Sequence, residues 1–196
     1  MPRPYTLGKR GESQAETRRR IIEATLGLYR EVGIGGATVA AIARAADVAP
    51  ATVRNHFPGA NDLADAAADA ILAGLGMPDA SIFAETRGPI ERIERLLVET
   101  AAFFERSSEW WAIRQADRGL GNAWAVSEAH YDERMAALIR LAVEPLGDEP
   151  AVGAIIGAVL VHVYFAARSA GLSTVDAVAV ERALLVPWLE ARMAAP

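Results

Sequence analysis

Thr38-Val39-Ala40-Ala41-Ile42-Ala43-Arg44-Ala45-Ala46-Asp47-Val48-Ala49-Pro50-Ala51-Thr52-Val53-Arg54-Asn55-His56-Phe57 reads as two short helices joined by a tight turn. Thr38 has the hydroxyl that caps a helix start. Val39, Ile42 and Ala43 follow at i, i+3, i+4, one apolar face of a helix over 39–45. Ala46 to Ala49 forms the turn and returns Val48 to the core. Pro50, its φ already fixed, suits the first position of a second helix, which carries Val53 and Phe57 inward and leaves Ala51, Thr52, Arg54, Asn55 and His56 outward. Such a pair fits the major groove of DNA, the second helix presenting its N-terminal residues to base edges. Small residues at Pro50 and Ala51 let the backbone approach. Thr52, Arg54 and His56 can reach phosphates, which set register and affinity. The candidate DNA-contacting set is Thr38, Ala49, Pro50, Ala51, Thr52, Arg54, Asn55 and His56.

The flanks extend the unit. Ile21, Ile22, Leu26 and Tyr29 recur at helical spacing over Glu16 to Glu31, and Gly33, Gly35 and Gly36 stop that helix. Pro58-Gly59 is a turn, and a fourth helix runs from about Asn61 to Gly74. The ordered pattern Arg18, Ile21-Ile22, Ala24, Leu28-Tyr29, Gly33, Ala37-Thr38-Val39, Ile42-Ala43, Ala46-Asp47-Val48-Ala49, Thr52-Val53, His56-Phe57-Pro58, Leu63 closely resembles the N-terminal domain of the tetracycline-repressor (TetR) family of transcriptional regulators, over about residues 14 to 64. The resemblance implies an all-α chain. A three-helix, helix-turn-helix DNA-binding domain at 14–59 follows a flexible arm at 1–13 and precedes a helical ligand-binding and dimerisation domain at 60–196. It implies a repressor that binds a palindromic operator as a homodimer and is released by a small molecule. The chain departs from the family at Arg54, where a phosphate-contacting Tyr is usual, and at Ala60, where Lys is frequent.

Composition sets the bounds. The chain has 196 residues, 52% hydrophobic, with a net charge of −5. Residues 1–60 hold nine basic and five acidic groups, the remainder eleven and twenty, so the positive part coincides with the helix-turn-helix, as a nucleic-acid reader requires. Nineteen of the twenty basic residues are arginines, Lys9 being the exception. Cysteine is absent, which excludes disulfides and thiolate metal sites. No apolar segment follows the basic N-terminal residues, so no signal peptide is read there and a cytoplasmic location is expected. Ala151 to Ala167 carries no charge, but it is short for a membrane span of about 20 residues. A helix buried in protein is the expected reading.

Beyond the fourth helix the pattern stays helical. Pro78 to Gly88 reads as a linker, followed by helices over Pro89 to Arg106, from Ser107 or Ser108 to about Gly119, from Asn122 to about Val143, over Ala151 to Ala170 and over Thr174 to Met193. The middle helices concentrate aromatic residues with a few polar groups, the mix of a ligand site between helices. The candidate ligand set is Phe103, Trp110, Trp111, Arg114, Trp124, Tyr131, Arg134 and His162. Arg114 or Arg134 inside such a site would favour an anionic ligand. The last two helices carry surplus apolar surface, and Gly153, Ile156, Gly157, Leu160, Val178, Leu185, Trp188 and Leu189 form the candidate dimer interface. No cofactor or metal is expected, nor enzymatic activity. HExxH, Walker and GxSxG motifs are missing, and no histidine follows a Glu by three residues, as di-iron bundles require. The competing readings are a DNA-binding regulator without a small effector or switched by a protein partner, and, more remotely, an all-α enzyme.

Overall fold

The computed structural model describes residues 7–59, 61–116, 123–146 and 150–194, with backbone only at 7–12, 114, 115, 123–128 and 145. The described elements are helical, and no strand occurs among them. They are α1 (Leu7–Gly36), α2 (Val39–Ala45), α3 (Pro50–His56), α4 (Asp62–Gly74), α5 (Pro89–Arg106), α6 (Ser108–Ala116), α7 (Ala123–Val143), α8 (Pro150–Ala158), α9 (Tyr164–Ser169) and α10 (Thr174–Met193). The chain falls into two compact units, residues 1–71 with 109–128, and 72–108 with 129–196. The boundary therefore lies inside α4 rather than at residue 59 or in the 78–88 segment, and 109–128 belongs with the N-terminal unit rather than with 60–196.

In the first unit Ile21, Ile42, Ala43, Ala46, Val53, Phe57 and Ala66 form a buried core, with Ile22, Ala24, Leu28, Ala37, Val48 and Leu63 packed around it. Val39, expected on the inner face of α2, is exposed, because a seven-residue helix turns only part of its first turn inward. α1 is broken at Gly33, whose φ of 75° and ψ of 174° lie where a side chain is unfavourable. The 1–13 arm needs correction over its second half, since α1 begins at Leu7. Extending an existing helix is far cheaper than nucleating one, which lets Gly8 and Gly11 be helical. Residues 1–6 lie outside the described residues. The indole of Trp110 on α6 is buried, with the Arg30 guanidinium 4.4 Å from its centroid.

In the second unit α5 turns Ile93, Leu96, Leu97, Thr100, Ala101, Phe103 and Phe104 inward. α10 packs against α5 and buries Ala177, Glu181, Leu185 and Leu189 at a four-residue period. The segment read as a linker is not bare chain: Met77, Pro78 and Phe83 are buried, and Ala80–Phe83 is a 3-10 turn against α5. The long apolar run is helical from Pro150 to Ser169, and by length and composition it could cross a bilayer. Its buried stripe of Val152, Ile156, Leu160, Tyr164 and Ala167 has the period of a helix laid on a protein core. The run widens to a π turn at Val159–Val163.

Glu181 is the anomaly of this core. It is 1% exposed, and its Oε1 finds no hydrogen-bond partner among the described residues. Burial pushes its carboxyl up to about 8, so the folded chain holds a proton that the unfolded chain releases near the usual 4.5. Stability should therefore be fullest below pH 4.5 as far as this group is concerned, fall as pH rises to about 8, and level off above. Glu181→Gln removes the titration. The expected outcome is a melting temperature that exceeds the parent's by a margin growing between pH 5 and 8. A margin independent of pH would show that Glu181 is ionised in the folded chain.

Candidate functional site

The exposed face of α3 is built from its two ends. At the start, Ala49 is extended, with φ −72° and ψ 147°, and Pro50 opens the helix. No side chain caps this end; Pro50 has no N–H to satisfy, and the Thr52 amide turns back to the Ala49 carbonyl at 2.8 Å. Ala49, Pro50, Ala51, Arg54 and Asn55 are exposed, while Thr52 and His56 are half-buried. Thr38 is exposed, and its hydroxyl accepts from the Ala41 amide at 3.2 Å, the cap expected of it. The eight residues named from sequence thus lie on α3 or at the entrances of α2 and α3.

The turn that sets the angle between α2 and α3 uses backbone bonds in a defined pattern. Asp47 sits at φ 52°, the left-handed region that Asp and Asn tolerate better than most residues. Its amide donates to the Arg44 carbonyl at 3.2 Å, and the Val48 amide donates to the Ala43 carbonyl at 2.9 Å. This is a Schellman closure, and it drives Val48 back onto the core.

Three consecutive arginines of α1 divide their work around this turn. Arg20 donates to the carbonyls of Ala46 at 2.7 Å and Asp47 at 3.1 Å. Arg18 donates to the carbonyl of His56 at 3.2 Å, and its guanidinium lies 4.2 Å from the centre of the Phe57 ring. Arg19, between them, points to solvent and pairs with Glu16 and Glu23. Two of the three thus hold the C-terminal ends of α2 and α3, where carbonyls lack helical partners and the helix dipole is negative. Sequence reading found Arg18 only as part of a pattern and missed Arg20. Two residues apart on a helix, they point to different sides of α1, and which carbonyls they meet depends on the fold.

The candidate ligand residues do not fall into one cluster. Trp110 and Trp111 belong to the first unit. In the second, the rings of Phe103 and Tyr131 stack at 5.9 Å, and Phe104 lies 5.1 Å from Tyr164 and 4.9 Å from Phe165. Phe165 was not named from sequence, and the helices that carry Phe104, Tyr164 and Phe165 meet only on folding. The Tyr131 hydroxyl and the Thr100 Oγ1 are buried without a hydrogen-bond partner among the described residues. Burial pushes the Tyr131 phenol well above its ordinary value, so this wall is neutral. Tyr164 donates to Glu105 at 2.8 Å, and that bond, with Arg168 nearby, holds the Glu105 carboxyl below the usual range. Arg134 and His162 are exposed, so Arg134 supplies no buried cation for an anion. The side chains of Arg114 and Trp124 lie outside the described residues. Among the described residues no cluster of His, Asp and Glu could hold a metal ion.

Of the candidate dimer residues, Ile156, Leu160, Leu185 and Leu189 are buried in the chain's own core. A Cβ on Gly153 or Gly157 would stand 3.7 or 3.5 Å from Ile139, so the small pair admits α7. Val178 and Trp188 are half-buried. The apolar groups left on the surface are their neighbours: Ile155 on α8, and Val175 (78% exposed), Val180, Leu184 (52%) and Met193 on α10.

Comparison with known proteins bears on the first unit most directly. Residues 21–67 match the family model of bacterial regulatory proteins, tetR family. The chain is similar in fold to the multidrug binding protein EbrR complexed with imidazole, with a TM-score of 0.60, 21% identity, and coverage of 92% of this chain and 95% of that one. It is also similar to a proposed fatty acid metabolism regulator of Clostridium perfringens, with a TM-score of 0.56, 16% identity, and coverage of 83% and 94%. No curated protein matches its sequence.

If the carbonyl bonds of Arg20 hold the turn, Arg20→Ala should lower unfolding stability by about 1–3 kcal/mol. Arg19→Ala, which loses only exposed, solvent-screened ion pairs, should cost much less. Urea denaturation of both variants checks this, and equal losses would remove the special role of Arg20.

Proposed function

We propose that the chain, whose residues 21–67 match the family model of bacterial regulatory proteins, tetR family, is a ligand-responsive repressor, binding a palindromic operator as a homodimer and released by a small molecule. The observation that carries the reading is α3 itself. It has an uncapped, exposed N-terminus flanked by small residues, and Arg18 holds its other end. The first turn of a recognition helix is the part that reaches base edges, and a rigid support keeps it in register.

The proposed dimer places two copies of α3 in successive major grooves about 34–36 Å apart. Its interface takes in the exposed Ile155, Val175, Val180 and Leu184 beside the half-buried Val178 and Trp188. Buried Ile156, Leu160, Leu185 and Leu189 support that face from beneath. A two-fold interface needs one self-complementary patch, and an apolar stripe on α10 meets that need. It also gives the apolar surface of α8 to α10 a protein partner, in keeping with a cytoplasmic regulator.

The proposed effector site is the aromatic cluster of Phe103, Phe104, Tyr131, Tyr164 and Phe165 on α5, α7 and α9. The similar fold of EbrR, a multidrug binding protein complexed with imidazole, supports a small-molecule effector. Here the buried Thr100 and Tyr131 hydroxyls supply neutral hydrogen-bonding groups. α5 continues from this cluster to Arg106, which donates to the carbonyls of Leu75 at 2.7 Å and Gly76 at 2.9 Å. That bond ties the end of α5 to the end of α4, and α4 runs on into the DNA-binding unit. A ligand that prefers one position of α5 would shift the population through this link.

Selection of duplexes from a random pool by the purified protein should enrich an inverted repeat, with binding that falls steeply as salt rises. The absence of enrichment would count against an operator. On the enriched duplex and on mismatched competitors alike, Arg54→Ala should weaken binding by a similar factor, because a phosphate contact carries no sequence information. A changed sequence preference would instead place Arg54 on a base edge. Leu184→Glu should leave the melting temperature near the parent's, yield monomers in light scattering and lower operator affinity. A stable dimer in that variant would move the interface elsewhere.

A further inference from the structure

An open groove of about 440 Å³ lies beside the recognition helix, lined by Gln14, Ala15, Arg18, Asn55 and His56. It joins α1 to the exposed end of α3, and two of its residues are among the candidate DNA contacts. Arg19 and Arg30 pair with carboxylates. Arg18 instead meets a neutral carbonyl and a neutral ring, and among the described residues no carboxylate pairs with it. Its positive charge is therefore held in place without being cancelled.

We propose that this groove seats one phosphate of the operator backbone, with the Arg18 guanidinium as its cation. The proposal rests on the DNA-binding reading and adds α1 to the contact surface. The end of α3 is a poor place for an anion by itself, since the last carbonyls carry the negative end of the helix dipole. Arg18 answers that problem directly. One N–H covers the His56 carbonyl, the ring of Phe57 fixes the guanidinium plane, and the fork shape of the group leaves further N–H donors for a phosphate. Asn55 and Gln14 supply amide donors on the two walls. The arrangement is pre-positioned, so DNA binding would cost little ordering of this side chain.

The test uses the full chain and the duplex recovered from the random pool, with binding isotherms over a series of KCl concentrations. Arg18→Gln removes the cation and keeps a polar side chain. Ala15→Glu puts a carboxylate in the groove; Ala15 is exposed and Glu is a good helix former, so the fold should be retained even if Arg18→Gln destabilises α3. Each variant is expected to weaken binding about tenfold or more at low salt. Each should also make the slope of log K against log salt shallower by about 0.9 per subunit. Arg18→Lys should keep the parent's slope, and Arg19→Gln should leave both affinity and slope unchanged. Weaker binding by Arg18→Gln at the parent's slope would reduce Arg18 to a support for α3 and overturn the proposal, as would parent-like affinity and slope in Ala15→Glu. Failure of the parent to bind any duplex would refute the DNA-binding reading itself, a separate and recognisable result.

Discussion

A guanidinium on the carbonyl end of a helix is the contact on which this structure leans most. Short helices leave their last four carbonyls without helical partners, and the ten described helices have many such ends. Three of them close alike. Asp47, Gly76 and Gly171 adopt left-handed backbone, and the amides of Val48, Met77 and Leu172 reach back to the carbonyls of Ala43, Leu72 and Ala167 at 2.9, 3.2 and 3.1 Å. At each of these ends an arginine takes carbonyls that the backbone leaves over: Arg20 beyond α2, Arg106 beyond α4, Arg168 beyond α9. Arg18 does so at α3, and Arg92 donates to the Leu141 carbonyl near the end of α7 at 2.7 Å. The guanidinium carries five N–H groups in a flat fork and can bridge adjacent carbonyls, where an ammonium offers a single point. The near-exclusive use of arginine in the sequence suits that geometry.

These clamps matter for function because most join elements remote in sequence. Arg20 and Arg18 fix α2 and α3 to α1, so the orientation of the recognition helix depends on side chains that contribute nothing to its own helicity. Arg106 does the same between α5 and α4 and supplies a physical link between an aromatic cluster and the helix leading to the DNA-binding unit. The two polar demands of the second unit are met differently. Tyr164, Glu105 and Arg168 satisfy one another, while Thr100, Tyr131 and Glu181 are buried with polar atoms unanswered among the described residues. Unanswered groups in a packed interior are costly.

Legibility from sequence followed the range of the physics involved. Helix bounds over 39–45, 50–56, 89–106 and 174–193 depend on caps, Pro and apolar period within a few residues, and the chain states them openly. The exposed face of α3 was legible for the same reason: Val53 and, just beyond the helix, Phe57 turn inward, while Ala51, Arg54 and Asn55 face out and Thr52 and His56 are half-buried. The final helices show where this reasoning stops. A helix that is apolar on most of its circumference does not declare which side meets its own core. Ile156, Leu160, Leu185 and Leu189 proved to be inward, and the exposed face is offset from them. Gly153 and Gly157 looked like a place for a second subunit, whereas Ile139 of the same chain lies against them.

The sequence by itself determined the all-helical class, the helix-turn-helix and the concentration of positive charge near it, because each follows from local period, capping and composition. Only the tertiary structure decided which arginine meets which carbonyl, which aromatic rings come together, which face of α10 is left uncovered and that residues 109–128 join the N-terminal unit. Those outcomes depend on contacts between residues tens of positions apart. No local pattern encodes such contacts, since many pairings of amphipathic helices satisfy the same periodicity, and the choice among them is made by the packing of the whole chain.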